Sequence, residues 1–213
     1  MNEEITELVN AATYHGRLTC GSEKVANQRL ELPRGVPQGT PGWIRHALIG
    51  PSVVFLNVPS GKETAVAATK GIHGGLINNV QVEMVKQLAA SMVLAGVQGE
   101  DIGVITPYRA QLARIRAALD AAAAGEIECC TIDQYQGRDK TVIVVSLVRC
   151  NSQGQTGDLL RDWKRINVAM TRARCKLILI GCAETLRHSL LWATALNTIE
   201  GRGWKVTVDP KLS

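Results

Sequence analysis

The sequence predicts an α/β fold, a parallel β-sheet covered by helices on both faces. Three observations point there. From about Asn79 onward, short β-branched runs alternate with helix-period segments, and the runs at 142–148 and 177–180 are apolar and of strand length. The third is bulk: 213 residues with 46% apolar content bury a full core, about one to one and a half domains' worth.

Residues 2–13 read as an amphipathic helix, with Ile5, Leu8, Val9 and Ala12 on one face. Five of the seven prolines and eight of the twenty glycines then fall between Pro33 and Gly75, which predicts an irregular 33–78 insertion whose one strand is Val53–Leu56. A helix is predicted over 79–95, with Val82, Val85, Leu88 and Ala89 together, followed by a strand at Ile102–Ile105. Pro107 opens a helix over 108–119 that turns Leu112, Ile115 and Leu119 inward. Strands are predicted at 127–131, 141–148, 176–181 and 204–208, helices at 158–173 and 183–198, and the alanine run 121–124 as a helix end. Units of 1–32, 33–78 and 79–213 follow, the last holding the core of the fold. Ligands gather where parallel strands end, so Thr106, the 131–139 loop and the segment after Arg149 are expected on one carboxyl edge.

The net charge is +5, a mild excess compatible with a nucleic-acid partner. Six cysteines form no Cys-x-x-Cys pair and the four histidines stand apart, so no metal site is expected. Met1–Glu7 is acidic and does not read as a secretion signal, and no apolar run is long enough to cross a bilayer.

Two segments carry the chemistry: Thr131-Ile-Asp-Gln-Tyr-Gln-Gly-Arg-Asp-Lys140 and Arg165-Ile-Asn-Val-Ala-Met-Thr-Arg-Ala-Arg174. Each sets small and polar residues beside fixed cations where an apolar element begins or ends, which suits a grip on phosphate. In a continuous 158–173 helix, Leu159, Leu160, Trp163, Ile166 and Met170 form the core stripe, while Arg165 and Arg172, seven apart, share another face. Gly137 lets the backbone approach an anion. The phosphate-cradling loop that ends in Gly-Lys-Ser/Thr is missing: the only Gly-Lys, Gly61-Lys62, runs into Glu63.

Those segments resemble motifs V and VI of superfamily 1 helicases, in the branch of RNA-surveillance helicases and replication helicase–nucleases. Leu18-Thr-Cys-Gly-Ser-Glu-Lys-Val-Ala-Asn27 and Gly157-Asp-Leu-Leu-Arg-Asp-Trp-Lys-Arg165 are similar to the helicase–nucleases that trim Okazaki-fragment flaps. The resemblance implies a second RecA-like domain, the half without Walker motifs, of an ATP-dependent 5′-to-3′ single-stranded DNA helicase. It implies Arg172 as the arginine finger that meets the γ-phosphate, with Gln136, Gly137, Asp139 and Arg165 as further nucleotide contacts. Family members often carry Glu where Asp139 stands. Thr131 and Asp133, with Thr106, Tyr108 and Gln111 of a Pro-Tyr-x-x-Gln-like segment, are the implied nucleic-acid contacts, Tyr108 by stacking. ATP and Mg²⁺ are expected mainly on a missing first RecA-like domain, and a nuclease domain is expected elsewhere in the longer protein. The chain starts inside motif IV and reads as a piece; alone it is expected to bind ATP weakly and hydrolyse none. The implied setting is the nucleus, with the mitochondrion as a second. Two other readings stay open: a non-catalytic nucleic-acid-binding scaffold, and an RNA helicase of the surveillance type.

Overall fold

The computed structural model describes residues 1–67, 75–122, 126–135 and 137–209. Its strands are β1 (Val53–Asn57), β2 (Thr64–Val66), β3 (Gly75–Ile77), β4 (Ile102–Thr106), β5 (Glu128–Thr131), β6 (Lys140–Ser146), β7 (Ala173–Gly181) and β8 (Lys205–Thr207). Six of them make one parallel sheet in the order β5-β4-β6-β7-β1-β8, and β2 and β3 form a separate antiparallel hairpin. The predicted α/β architecture is therefore present, consistent with a RecA-like fold.

The helices are α1 (Glu3–Val9), which runs into a π turn at Asn10–Tyr14, α2 (Glu23–Ala26), α3 (Gly42–Ile49), α4 (Asn79–Leu94), α5 (Arg109–Ala121), α6 (Asp158–Arg161), α7 (Trp163–Thr171), α8 (Ala183–Leu186) and α9 (Leu190–Gly201). Successive strand residues point to opposite faces, and each face has its own core. Leu177 and Leu179 of β7, with Phe55 of β1, meet Ile5 and Leu8 of α1, Ile166 of α7 and Trp192 of α9. Their neighbours Ile178 and Ile180 meet Leu48 of α3, Leu88 of α4 and Ile115 of α5.

Three elements depart from the sequence reading. The 33–78 region, expected to be irregular with one strand, holds α3 and the β2–β3 hairpin besides β1. Pro41 and Gly50, which read as breakers, are the N- and C-caps of α3, and Ile44, Ala47 and Leu48 are its buried stripe. The expected 158–173 helix is two helices. Asp162 sits at the break with extended backbone, and its carboxylate accepts the Lys164 N–H at 3.0 Å, capping α7. The break alters the helical phase, so Leu160, Ile166 and Met170 are buried but Trp163 is 51% exposed, outside the core stripe expected for it. The expected 183–198 helix likewise divides into α8 and α9.

Candidate nucleotide and nucleic-acid edges

The two motif segments meet at both ends of the sheet, not at one. In the β6–β7 register Lys140 lies opposite Ala173, so the residues just before them, Asp139 and Arg172, face each other at the strands' amino ends. Arg172 Nη1 lies 2.9 Å from the Asp139 carboxylate, and Nη2 donates to Thr171 Oγ1 at 3.1 Å. The Arg172 carbonyl accepts the Lys140 N–H at 3.0 Å, which fixes the helix-to-strand corner. Arg172 Nε is buried without a partner, while Asp139 is mostly exposed. Gly137 has φ +75, and a Cβ there would meet nothing within 4 Å, so this backbone corner is open to solvent. A cation on one exposed carboxylate beside an open glycine corner fits an incoming phosphate.

Tyr135 anchors the loop that carries Gly137 and Asp139. It is wholly buried over Gly103 of β4, where an added Cβ would overlap the Tyr135 hydroxyl. That hydroxyl has no partner, and burial pushes its pKa upward. Gly103 is thus required by the close approach of a ring. Gln136, expected to contact nucleotide, lies outside the described residues.

The carboxyl edge holds the other set. Thr131 ends β5, and its hydroxyl donates to Gln134 Oε1 at 3.2 Å. Asp133, in the turn that follows, pairs with Arg165 Nε at 2.8 Å. Arg165 was expected beside Arg172 on the nucleotide; the structure places it here instead, because seven residues along a helix axis span about 10 Å. Arg109, Arg116 and Gln134 line a 270 Å³ pocket beside this turn. Tyr108 is half-buried at the start of α5, near Arg149; burial raises the pKa of its hydroxyl and outweighs the opposing influence of that guanidinium. Thr106, also expected to touch nucleic acid, has no exposed surface and cannot make that contact directly; its buried hydroxyl is unpartnered.

Gln111 cannot make the direct nucleic-acid contact expected of it, because it has no exposed surface. Its Oε1 accepts the Asn78 N–H at 2.8 Å, and its Nε2 donates to the Asn78 carbonyl at 3.2 Å and to Ser146 Oγ at 3.1 Å. It ties α5 to α4 and β6. The expected single edge is therefore two: Thr106, Thr131, Asp133 and the segment after Arg149 are at the carboxyl end, and Gly137 and Asp139 at the amino end.

A family model described as an AAA domain matches residues 1–184 of the chain. The chain belongs to this family. It is also similar to proteins named DNA replication ATP-dependent helicase/nuclease DNA2: 41% identical over 201 residues in Xenopus laevis, covering 88% of this chain and 18% of that protein. The Homo sapiens protein is 40% identical over 198 residues (87% and 18%), and the Saccharomyces cerevisiae protein 36% over 215 residues (96% and 14%). This AAA-domain chain thus spans less than a fifth of the length of those relatives.

The AAA-domain chain also holds functional geometry that sequence reasoning missed. Val148, a buried β-branched residue just past β6, has φ +68, in a tight turn closed by Arg149 N–H donating to the Leu147 carbonyl at 2.7 Å. Such a turn is strained for valine. Its amide ends are held by Gln81 Oε1 at 2.9 Å and Asn78 Nδ2 at 2.8 Å. The turn aims buried Arg149 at Glu63, 3.2 Å away, and at Tyr108. Gly157, with φ +79, suits this close approach: an added Cβ would lie 3.0 Å from Arg149 Nη1 and 3.2 Å from the Tyr108 hydroxyl. No single residue in this turn advertises the strain; the only signal is an arginine straight after an apolar strand.

Proposed function

We propose that this domain is the second motor half of an ATP-dependent 5′-to-3′ single-stranded DNA helicase of replication and repair, acting in the nucleus as part of a longer helicase–nuclease. The observation that carries the reading is Arg172, whose guanidinium stands at the amino edge, held by the exposed carboxylate of Asp139, two residues after the open backbone of Gly137. When a γ-phosphate arrives on the facing first RecA-like domain, Arg172 exchanges Asp139 for the phosphate oxygens and neutralises the charge that grows as the bond breaks. Magnesium and the other phosphates belong to that first domain, since this sequence has no Gly-Lys-Ser/Thr loop. Asp139, once released, is placed for the nucleotide sugar or the attacking water.

At the other edge, Tyr108, Thr131, Asp133 and the Arg109–Arg116 pocket form the track for a single strand. A charged, aromatic-poor surface favours contacts to the backbone, as a sequence-indifferent translocase requires. Because the two edges share α7 and the 131–139 loop, closing on ATP at one moves the track at the other.

The test is nucleic-acid-stimulated ATP hydrolysis by the longest native form of the protein. Arg172→Ala should cut turnover by about 10³-fold or more with single-strand affinity retained. Equal hydrolysis by both proteins would exclude the finger. Stimulation by RNA but not DNA would replace this reading with the surveillance type.

A further inference from the structure

Trp163 is 51% exposed at the first position of α7, so its indole offers a ring face to solvent. Lys164 Nζ lies 6.0 Å from the centre of the indole ring, and Arg161 and Lys164 are both exposed. Among the described residues neither forms an ion pair. The adjacent carboxylates are engaged elsewhere: Asp162 caps the Lys164 N–H at 3.0 Å and lies 3.9 Å from Arg165, and Asp133 holds Arg165 at 2.8 Å. The surface is thus an exposed indole with Lys164 over its ring and exposed Arg161 two residues before it in the chain.

The fold places this face between the two ends of the strand track. At one end of the segment, a Cβ on Gly157 would lie 3.2 Å from the Tyr108 hydroxyl. At the other, the Arg165–Asp133 pair fastens α7 to the turn after Thr131. The segment 157–165 therefore bridges Tyr108 and Asp133 along the carboxyl edge, and the helix break at Asp162 is what turns Trp163 outward from it.

We propose that Trp163 is a base-stacking residue for single-stranded nucleic acid, with Arg161 and Lys164 taking the phosphates on either side. Any base offers a π-face, so the contact is indifferent to sequence, and a duplex, whose bases are already stacked, cannot supply it. This inference rests on the strand-binding role of the carboxyl edge proposed above.

The experiment is equilibrium binding of a fluorescent oligo-dT to the full-length protein over a salt series, for wild type, Trp163→Ala, Trp163→Phe and Lys164→Ala. The expected result is about tenfold or weaker binding for Trp163→Ala with an unchanged salt slope. Trp163→Phe should keep most of the affinity, and Lys164→Ala should lower the slope by about one. Wild-type affinity in Trp163→Ala would overturn the stacking role alone and leave the indole to a protein partner. A wild-type protein that does not bind oligo-dT would overturn this inference and the proposed strand track together.

Discussion

At the residue scale, charges in this domain are placed by burial as much as by pairing. Lys176 of β7 is 1% exposed, and its amine donates to the Gly50 and Pro51 carbonyls at 3.0 and 2.6 Å. Two carbonyls match the two hydrogens of a neutral amine, and burial pushes the Lys176 pKa down to about 7. Between that value and the usual lysine range the unfolded chain binds a proton that the folded chain does not, so stability rises with pH across this window. Below about 7 both states are protonated and the full burial cost remains. Urea unfolding should show Lys176→Met more stable than wild type at pH 7, the difference shrinking by up to about 1.4 kcal/mol per pH unit towards pH 10. A pH-independent difference would contradict a buried neutral amine. The sequence did not reveal this lysine, since nothing in Cys175-Lys176-Leu177 tells a buried strand lysine from one at an edge. Gln111 misled for the same reason: its place in a helix start was legible, but its burial depends on Asn78 and Ser146, which are far away in sequence. Arg172 and Asp139 were legible as candidates because each stands in a short motif beside a strand start, where the structure pairs them.

At the element scale, the boundaries of α3 and α7 were hidden by residues with two meanings. A proline or glycine that interrupts a pattern also caps a helix, and Asp162 suits a helix surface and a helix start equally well. The loop after β5 shows how an element is positioned from beneath, with the Tyr135 ring lying on the bare backbone of Gly103. Gly103→Ala should cost about 1–3 kcal/mol of stability by overpacking. Adding Tyr135→Phe should recover part of that loss in urea unfolding, because it removes an unpartnered hydroxyl from the point of overlap. Strictly additive losses would show that the two residues do not meet.

At the scale of the whole molecule, the parallel sheet was legible because strand-length apolar runs alternate with helical periods, whatever the details of each contact. The division of the site between two edges was not. Residues 131–139 are continuous in sequence, yet they leave the carboxyl end of β5 and reach the amino end of β6, as a connection between parallel strands must. In the proposed reading, residues separated by a few positions therefore serve different ligands: Thr131 and Asp133 the strand, Gly137 and Asp139 the nucleotide. Helix α7 repeats the division, with Arg165 at one end and Arg172 at the other. This separation is the central claim. The measurement that tests it most directly sets single-strand affinity beside DNA-saturated ATP turnover for Arg172→Ala and Tyr108→Ala in one full-length protein. The account predicts that Arg172→Ala loses turnover at unchanged affinity, while Tyr108→Ala weakens binding about tenfold and recovers most of its turnover at saturating DNA. Equal loss of affinity in both variants, or full turnover in Arg172→Ala, would contradict it.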